Sequence, residues 1–152
     1  MESIINKYHT ILEPLQNNDI EKINDIHDHK LYTITTEIAK KYCNQNVLVS
    51  LSGGVDSMVL VELLYKNPNI NIYCCHVNYN NRIESTDEME FLREYCKHKN
   101  IVFEYIEFDF TRVDTKRDIY EKETRKLRYD YYCKLIEKYN CNCVMLAHHK
   151  DD

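Results

Sequence analysis

Val47-Leu48-Val49-Ser50-Leu51-Ser52-Gly53-Gly54-Val55-Asp56-Ser57 is an apolar run that ends in a glycine pair and passes directly into a segment of helical spacing. The two glycines are the only ones among 152 residues. Glycine reaches backbone conformations and close approaches that other residues reach only at a cost. Doubling it at one strand-to-helix junction, in a chain that avoids it elsewhere, points to backbone that must lie close to a ligand. Such a junction aims free N–H groups and two hydroxyls at a helix N-terminus, which favours an anionic oxygen cluster. Phosphate or pyrophosphate is the natural occupant. The plain alternative is a tight turn in which Asp56 and Ser57 only cap the helix. The loop is neither a Walker A sequence nor Gly-x-Gly-x-x-Gly, so a different nucleotide-binding class is required.

Outward from the loop, short apolar runs alternate with helical segments, the pattern of β-α-β units and a parallel sheet. Strands are expected over Val47–Leu51, Asn71–Val77, Val102–Phe108 and Cys143–Ala147, with helices over Val55–Lys66, Ser85–Lys99 and Asp118–Tyr139. Right-handed crossovers limit the strand order. If the first three strands step outward and the fourth returns beside the first, the order is 3-2-1-4, and the switch point lies between strands one and four. Open α/β sheets bind ligands there. The polar strand ends Ser52–Ser57 and His148–Asp152 would meet at that point. The fold class is therefore α/β, a parallel sheet of about four strands with an N-terminal helical extension. Ile4, Ile5, Tyr8, Ile11, Leu12 and Leu15 give helical spacing over residues 2–17, a polar stretch follows to Lys30, and a second helix is expected over Leu31–Tyr42. Residues 1–45 are read as the extension, 1–30 as an appendage, and 46–152 as the nucleotide-binding domain.

Composition restricts the partners. Net charge is −5, which gives no global cationic field for a polyanion, so a nucleic acid would need a local basic patch or another domain. No apolar run approaches membrane-spanning length and no leader is visible, so no membrane partner is expected. Seven cysteines, an odd number without Cys-x-x-Cys spacing, favour reduced thiols in a cytoplasmic compartment. Oligomeric state is open.

Three further motifs follow the loop. His76-Val77-Asn78 closes the second strand, and a lone histidine at a strand end is by itself an ordinary rim residue. Glu121-x-x-Thr124-Arg125-x-x-Arg128-Tyr129 lies on the long helix, where Arg125 and Arg128 share a face and could both reach a phosphate or a nucleic-acid backbone. The plain alternative is a solvated charged face, given Lys122, Glu123 and Lys126 around them. Ala147-His148-His149-Lys150-Asp151-Asp152 brings imidazoles and carboxylates that suit divalent cations, although adjacent histidines diverge on extended backbone.

Ser52-Gly53-Gly54-Val55-Asp56-Ser57 resembles the signature of the PP-loop ATP pyrophosphatases, which cleave ATP between the α- and β-phosphates. The run from His76 to Ser85, with Arg82 and Glu84, is similar to the His-Val-Asn-His-Gly-Leu-Arg-x-Glu-Ser segment of the tRNA(Ile)-lysidine synthases. Tyr79, Asn80 and Asn81 depart from it, and Thr124 replaces Ala in a Glu-x-x-Ala-Arg-x-x-Arg-Tyr helix. The final residues are similar to the start of Ala-His-His-x-Asp-Asp-Gln-x-Glu-Thr. The resemblance implies an adenine nucleotide alpha-hydrolase-like fold using ATP and Mg²⁺. It implies that the backbone of Gly53, Gly54 and Val55, with Ser52 and Ser57, holds the pyrophosphate. Asp56, with Asp151 or Asp152, would work with Mg²⁺ or orient the α-phosphate. His76 and Asn78 would lie beside adenine and ribose, and Arg125 or Arg128 would hold substrate or ATP.

The implied reaction is adenylation of the C2 oxygen of a wobble cytidine in tRNA(Ile), with release of pyrophosphate, followed by displacement of AMP by the ε-amine of free lysine. The absence of Cys-x-x-Cys pairs favours this over 2-thiolation, and a 2-thiocytidine-type enzyme is the runner-up. Because the sequence stops at Asp152 within a motif, a continuation encoding Gln-x-Glu-Thr is expected, and a nucleotide-binding module without ligase activity is the remaining alternative.

Overall fold

Val47, Leu48 and Val49 are at most 1% exposed, the burial of a parallel strand covered on both faces. They form the centre of β1 in a computed structural model that describes residues 30–80, 83–108 and 116–148. The described elements run α1 (Lys30–Lys41), β1 (Asn46–Ser50), α2 (Val55–Tyr65), β2 (Asn71–Asn78), α3 (Ser85–His98), β3 (Val102–Glu107), α4 (Arg117–Lys138) and β4 (Cys141–Leu146). All three strand pairings are parallel and the order is β3-β2-β1-β4. This is the 3-2-1-4 order that right-handed crossovers require of strands that step outward and then return. The expected helix over 2–17 and the polar stretch after it lie outside the described residues.

The sheet separates two apolar layers. On one side Val47, Val49, Cys74 and Ile101 pack with Val61 and Leu64 of α2 and with Leu92 and Cys96 of α3. Helix α1, assigned by sequence to the N-terminal extension, contributes Ala39 to this same layer. On the other side, among the described residues, α4 alone covers Leu48 and Cys75, with Tyr132 and Leu135. At the far end of α4, Glu104 of β3 accepts hydrogen bonds from Lys138 and Tyr139, tying the helix to the sheet edge. The hydrogen bond from Lys138, then that from Tyr139, hold the Glu104 carboxyl below its ordinary range, with the Lys138 charge adding to them.

β1, β2 and β3 fall within one residue of their expected spans, and β4 differs more. β4 starts at Cys141 rather than Cys143 and ends at Leu146. Asn46 pairs with Cys141 but Val47 pairs with Cys143, so Asn142 is an extra residue accommodated as a bulge, which the apolar pattern did not reveal.

The turns explain how so few glycines suffice. Asn44, Asn80, Asn100 and Asn140 all have φ between 49° and 58°, and no other described non-glycine residue has positive φ. Asn100 and Asn140 each follow the C-cap of a helix, where the chain reverses through left-handed backbone. Asparagine tolerates that region better than other side-chain-bearing residues. Gly53, at φ 85°, is the one described glycine with positive φ.

Candidate nucleotide site

The glycine pair follows β1, and its two members do different work. Gly53 needs left-handed backbone, and a Cβ built there would sit 3.6 Å from Leu92 Cδ1, an ordinary contact. Gly54 does not need glycine for its conformation: its φ of −70° and ψ of 155° suit any residue. A Cβ on Gly54 would meet only Ser52 Oγ, at 3.4 Å. The face above Gly54 is therefore open, and a side chain would fill it.

Gly54 is the N-cap of α2 and supplies no side-chain capping bond. The N–H groups of the first helical turn lack intrahelical acceptors, so they stay directed at the loop mouth. Ser52 Oγ receives the Gly54 N–H at 3.3 Å and donates to Ser57 Oγ at 3.1 Å, while Ser57 Oγ donates to the Gly54 carbonyl at 2.9 Å. Ser57 is 2% exposed and Ser52 is exposed. Ser57 thus braces the turn from beneath, and Ser52 presents its oxygen at the surface. The reading in which Asp56 and Ser57 only cap the helix does not describe this loop, since Ser57 binds a carbonyl. Val55 and Asp56 begin α2 and are exposed, with Asp56 in the first turn, where the helix dipole favours a carboxylate.

Beneath the loop lies His76. It is 6% exposed, and its Nδ1–H donates to the carbonyl of Leu51, the residue before the loop, at 2.8 Å. Burial lowers its pKa, partly offset by the Leu51 carbonyl and the nearby Glu88 carboxylate, so the ring is held neutral. Asn78, two residues on and 2% exposed, lies on the same side of the sheet as His76. Its Oδ1 accepts the Asn80 N–H at 2.9 Å, and its buried Nδ2 has no partner.

The opposite side of the loop opens into a pocket lined by Ser50, Leu51, Ser52, Ser57, Val77, Tyr79, Arg128, Tyr132 and the Leu146–His148 end of β4. Of the two strand ends expected at the switch point, Ser52 and Ser57 meet His148 here, and residues 149–152 lie outside the described residues. A larger cavity, of about 510 Å³, lies at the other end of the strands between Tyr65 and Val102. It has no glycine turn or free helix N-terminus, so the smaller pocket is the better site on chemistry.

Arg125 and Arg128 separate here. Arg125 is exposed, its guanidinium 5.2 Å from the Tyr129 ring centroid, and it lines a neighbouring depression with Glu121, Lys122, Thr124 and Arg128, but it does not line the loop pocket. Arg128 is half-buried and lines the loop pocket. No described carboxylate pairs with Arg128, and its buried Nε has no hydrogen-bond partner. A half-buried guanidinium without a counter-charge, beside two hydroxyls and an uncapped helix, is suited to an anion. Asp151, Asp152, Arg82 and His149 lie outside the described residues.

Sequence reasoning missed Tyr79 as a site residue, and it missed Ser50 and Tyr132 altogether. The Tyr132 hydroxyl lies 2.6 Å from Ser50 Oγ. Its signal was present, since Tyr132 is four residues after Arg128 and on the same helix face.

An open parallel sheet whose switch point carries a glycine turn and an unpaired guanidinium belongs to the α/β domains that receive anionic ligands at strand ends. The chain belongs to the PP-loop domain family, which matches residues 27–152. It is 38% identical over 105 residues to a tRNA(Ile)-lysidine synthase of Mycoplasmopsis pulmonis, covering 69% of this chain and 35% of that protein. It is 34% identical over 107 residues to the same-named protein of Mesoplasma florum, covering 69% and 26%. The chain thus spans about a third or less of these curated relatives. Among solved structures it resembles the U34-tRNA thiolase NcsA of Methanococcus maripaludis with its [4Fe-4S] cluster, at a TM-score of 0.62 and 19% identity, covering 80% of this chain and 46% of that one. It also resembles the NH3-dependent NAD synthetase of Campylobacter jejuni in complex with nitrate, at a TM-score of 0.59 and 19% identity, covering 80% and 55%. These two likenesses show the fold.

Proposed function

We propose that this chain is the ATP-binding part of a cytoplasmic tRNA(Ile)-lysidine synthase-like ligase. The observation that carries the reading is the loop of Ser52–Ser57, with its open face over Gly54, its uncapped helix N-terminus and the unpaired Arg128 opposite. The names of the relatives point to lysidine synthesis on tRNA(Ile), and the motif resemblance adds the wobble cytidine, free lysine and ATP.

The residues fit a nucleotide triphosphate. Gly54 leaves room for a phosphate to approach the backbone, the first-turn N–H groups of α2 and Ser52 offer donors, and Arg128 offers positive charge. Asn78 Nδ2 is a buried donor without a partner at the end of β2, where by the motif resemblance adenine and ribose would lie. Mg²⁺ arriving with ATP would neutralise the triphosphate. By the motif resemblance, the ion's protein contacts would be Asp56, exposed in the first turn of α2, with Asp151 or Asp152.

In this reading the chain does two things. It orients the triphosphate so that the cytidine C2 oxygen can attack the α-phosphorus in line, and it stabilises the charge that develops on the departing pyrophosphate. Preorganised N–H donors and a fixed guanidinium accomplish the second without reorganising at the moment of reaction. Lysine then takes the place of AMP at C2.

ATP–pyrophosphate exchange tests the proposal. Exchange that requires tRNA(Ile) supports it, with lysidine formed on adding lysine. Exchange without tRNA would assign a different PP-loop chemistry. Absence of saturable Mg·ATP affinity in the wild-type chain, measured beside Asp56→Ala, would remove the nucleotide site altogether.

A further inference from the structure

Arg128 is useful to a phosphate only if the guanidinium is already in place, and it stands on a 22-residue helix that packs on its face of the sheet. Two phenols from different parts of the fold converge on it. Tyr132 lies one turn after Arg128, is 2% exposed, and is bonded through its hydroxyl to Ser50, the last residue of β1. This contact bolts α4 to the strand that leads directly into the glycine loop.

Tyr79 approaches from β2. It leaves the strand one residue after Asn78, whose Oδ1 takes the Asn80 N–H at 2.9 Å and whose carbonyl takes the Phe108 N–H at 2.8 Å. Its ring packs against Phe108, with centroids 6.0 Å apart. Held this way, Tyr79 lines the loop pocket together with Arg128, its hydroxyl close enough to feel the guanidinium. A guanidinium can only donate, so what the Tyr79 oxygen offers it is an acceptor. The Tyr129 ring stands 5.9 Å from the guanidinium and limits it on a third side.

We infer that Tyr79 and Tyr132 are positioning residues that fix Arg128 against the glycine loop, Tyr79 by direct contact and Tyr132 by pinning α4 to Ser50. Burial raises both phenols above their ordinary range, Tyr132 to about 12, so both remain neutral hydroxyls around neutral pH. Arg128 keeps its full charge for the ligand because neither partner neutralises it. A buried carboxylate in either place would hold the side chain equally well but would cancel that charge. The inference rests on the nucleotide reading above and adds a specific division of labour: loop N–H groups supply the cradle, and the phenols supply the order of the cation.

The test uses the full chain and isothermal titration with Mg·ATP, inorganic pyrophosphate and adenosine. Tyr79→Phe and Tyr132→Phe keep the rings and remove only the hydroxyls. Each is expected to weaken Mg·ATP and pyrophosphate roughly three- to tenfold, the scale of one lost hydrogen bond, and to leave adenosine unchanged. Both losses should disappear in an Arg128→Ala background, since the phenols would then have nothing to position. Ser50→Ala removes the Tyr132 bond from the other side and should reproduce Tyr132→Phe, which covers the case of a poorly folding Tyr132 variant. Phenylalanine variants that bind pyrophosphate as the wild type does, or whose losses persist undiminished without Arg128, would overturn the inference while leaving the nucleotide site standing. If Arg128→Ala itself binds pyrophosphate normally, the role of Arg128 falls and the inference with it.

Discussion

Replacing Gly54 with alanine separates folding from ligand binding, because the structure assigns Gly54 no conformational duty. Its φ of −70° and ψ of 155° are accessible to alanine without strain. Reduced freedom of the unfolded chain favours alanine by about 0.4–1 kcal/mol. Against this, alanine is a poorer N-cap than glycine by roughly 0.5–1 kcal/mol, and the new methyl meets Ser52 Oγ at 3.4 Å. The two effects nearly cancel, so the urea midpoint of Gly54→Ala should stay close to wild type. Binding should not. The methyl occupies the space through which a phosphate would reach the loop backbone, and Mg·ATP affinity should fall by at least about tenfold, or 1.4 kcal/mol. Gly53→Ala should show the reverse emphasis. Its Cβ has room beside Leu92, but φ of 85° costs roughly 1–2 kcal/mol for a side-chain-bearing residue. That corresponds to a melting temperature lower by about 2–8 °C in a chain of this size. Equilibrium unfolding and calorimetric titration of the two variants decide the matter. A Gly54→Ala protein that binds Mg·ATP within twofold of wild type would refute the phosphate cradle.

The remaining expectations concern what supports the loop. His76 is held neutral in the folded chain with a lowered pKa, so unfolding takes up a proton below the unfolded value of about 6.5. Stability from this site is complete above that pH and is lost as pH falls from there toward the folded pKa; urea midpoints across pH 5–8 should show a slope that His76→Gln removes. Leu92 is 0% exposed and lies under Gly53, so Leu92→Ala should cost about 2–5 kcal/mol by denaturant unfolding and weaken nucleotide binding as the loop loses its floor. At Asn140, with φ of 50°, glycine should be neutral or stabilising, whereas alanine should cost on the order of 1 kcal/mol.

Much of this architecture was legible from periodicity. Continuous apolar strands mark themselves by pattern, and the handedness of crossovers leaves few ways to order four of them. Ser52–Ser57 was legible because glycine is so rare here that its position carries information. Details that depend on tertiary partners were not. Arg125 and Arg128 look equivalent in sequence, but three residues rotate a helix to leave side chains about 60° apart, enough for one to enter the pocket and the other to face solvent. The Tyr132–Ser50 bond spans 82 residues, and although the spacing from Arg128 puts Tyr132 on the right helix face, nothing local marks Ser50 as its partner. His76 was legible as a residue beside the nucleotide loop, but its bond to Leu51 required knowing which face of β2 lies under the loop. The bulge at Asn142 left no mark because a single polar residue beside Cys141 and Cys143 reads as an ordinary turn.

The asparagine turns carry a consequence for reading drifted sequences. Codons for asparagine are rich in A and T, and those for glycine are rich in G, so an AT-biased genome exerts steady pressure to exchange one for the other. Asparagine stands at Asn44, Asn80, Asn100 and Asn140, where a turn asks only for left-handed backbone. At those four positions asparagine meets a need that is purely one of geometry. Gly54, whose backbone suits any residue, is in that light the more informative glycine of the pair: its bare face is of use to a bound phosphate rather than to the fold.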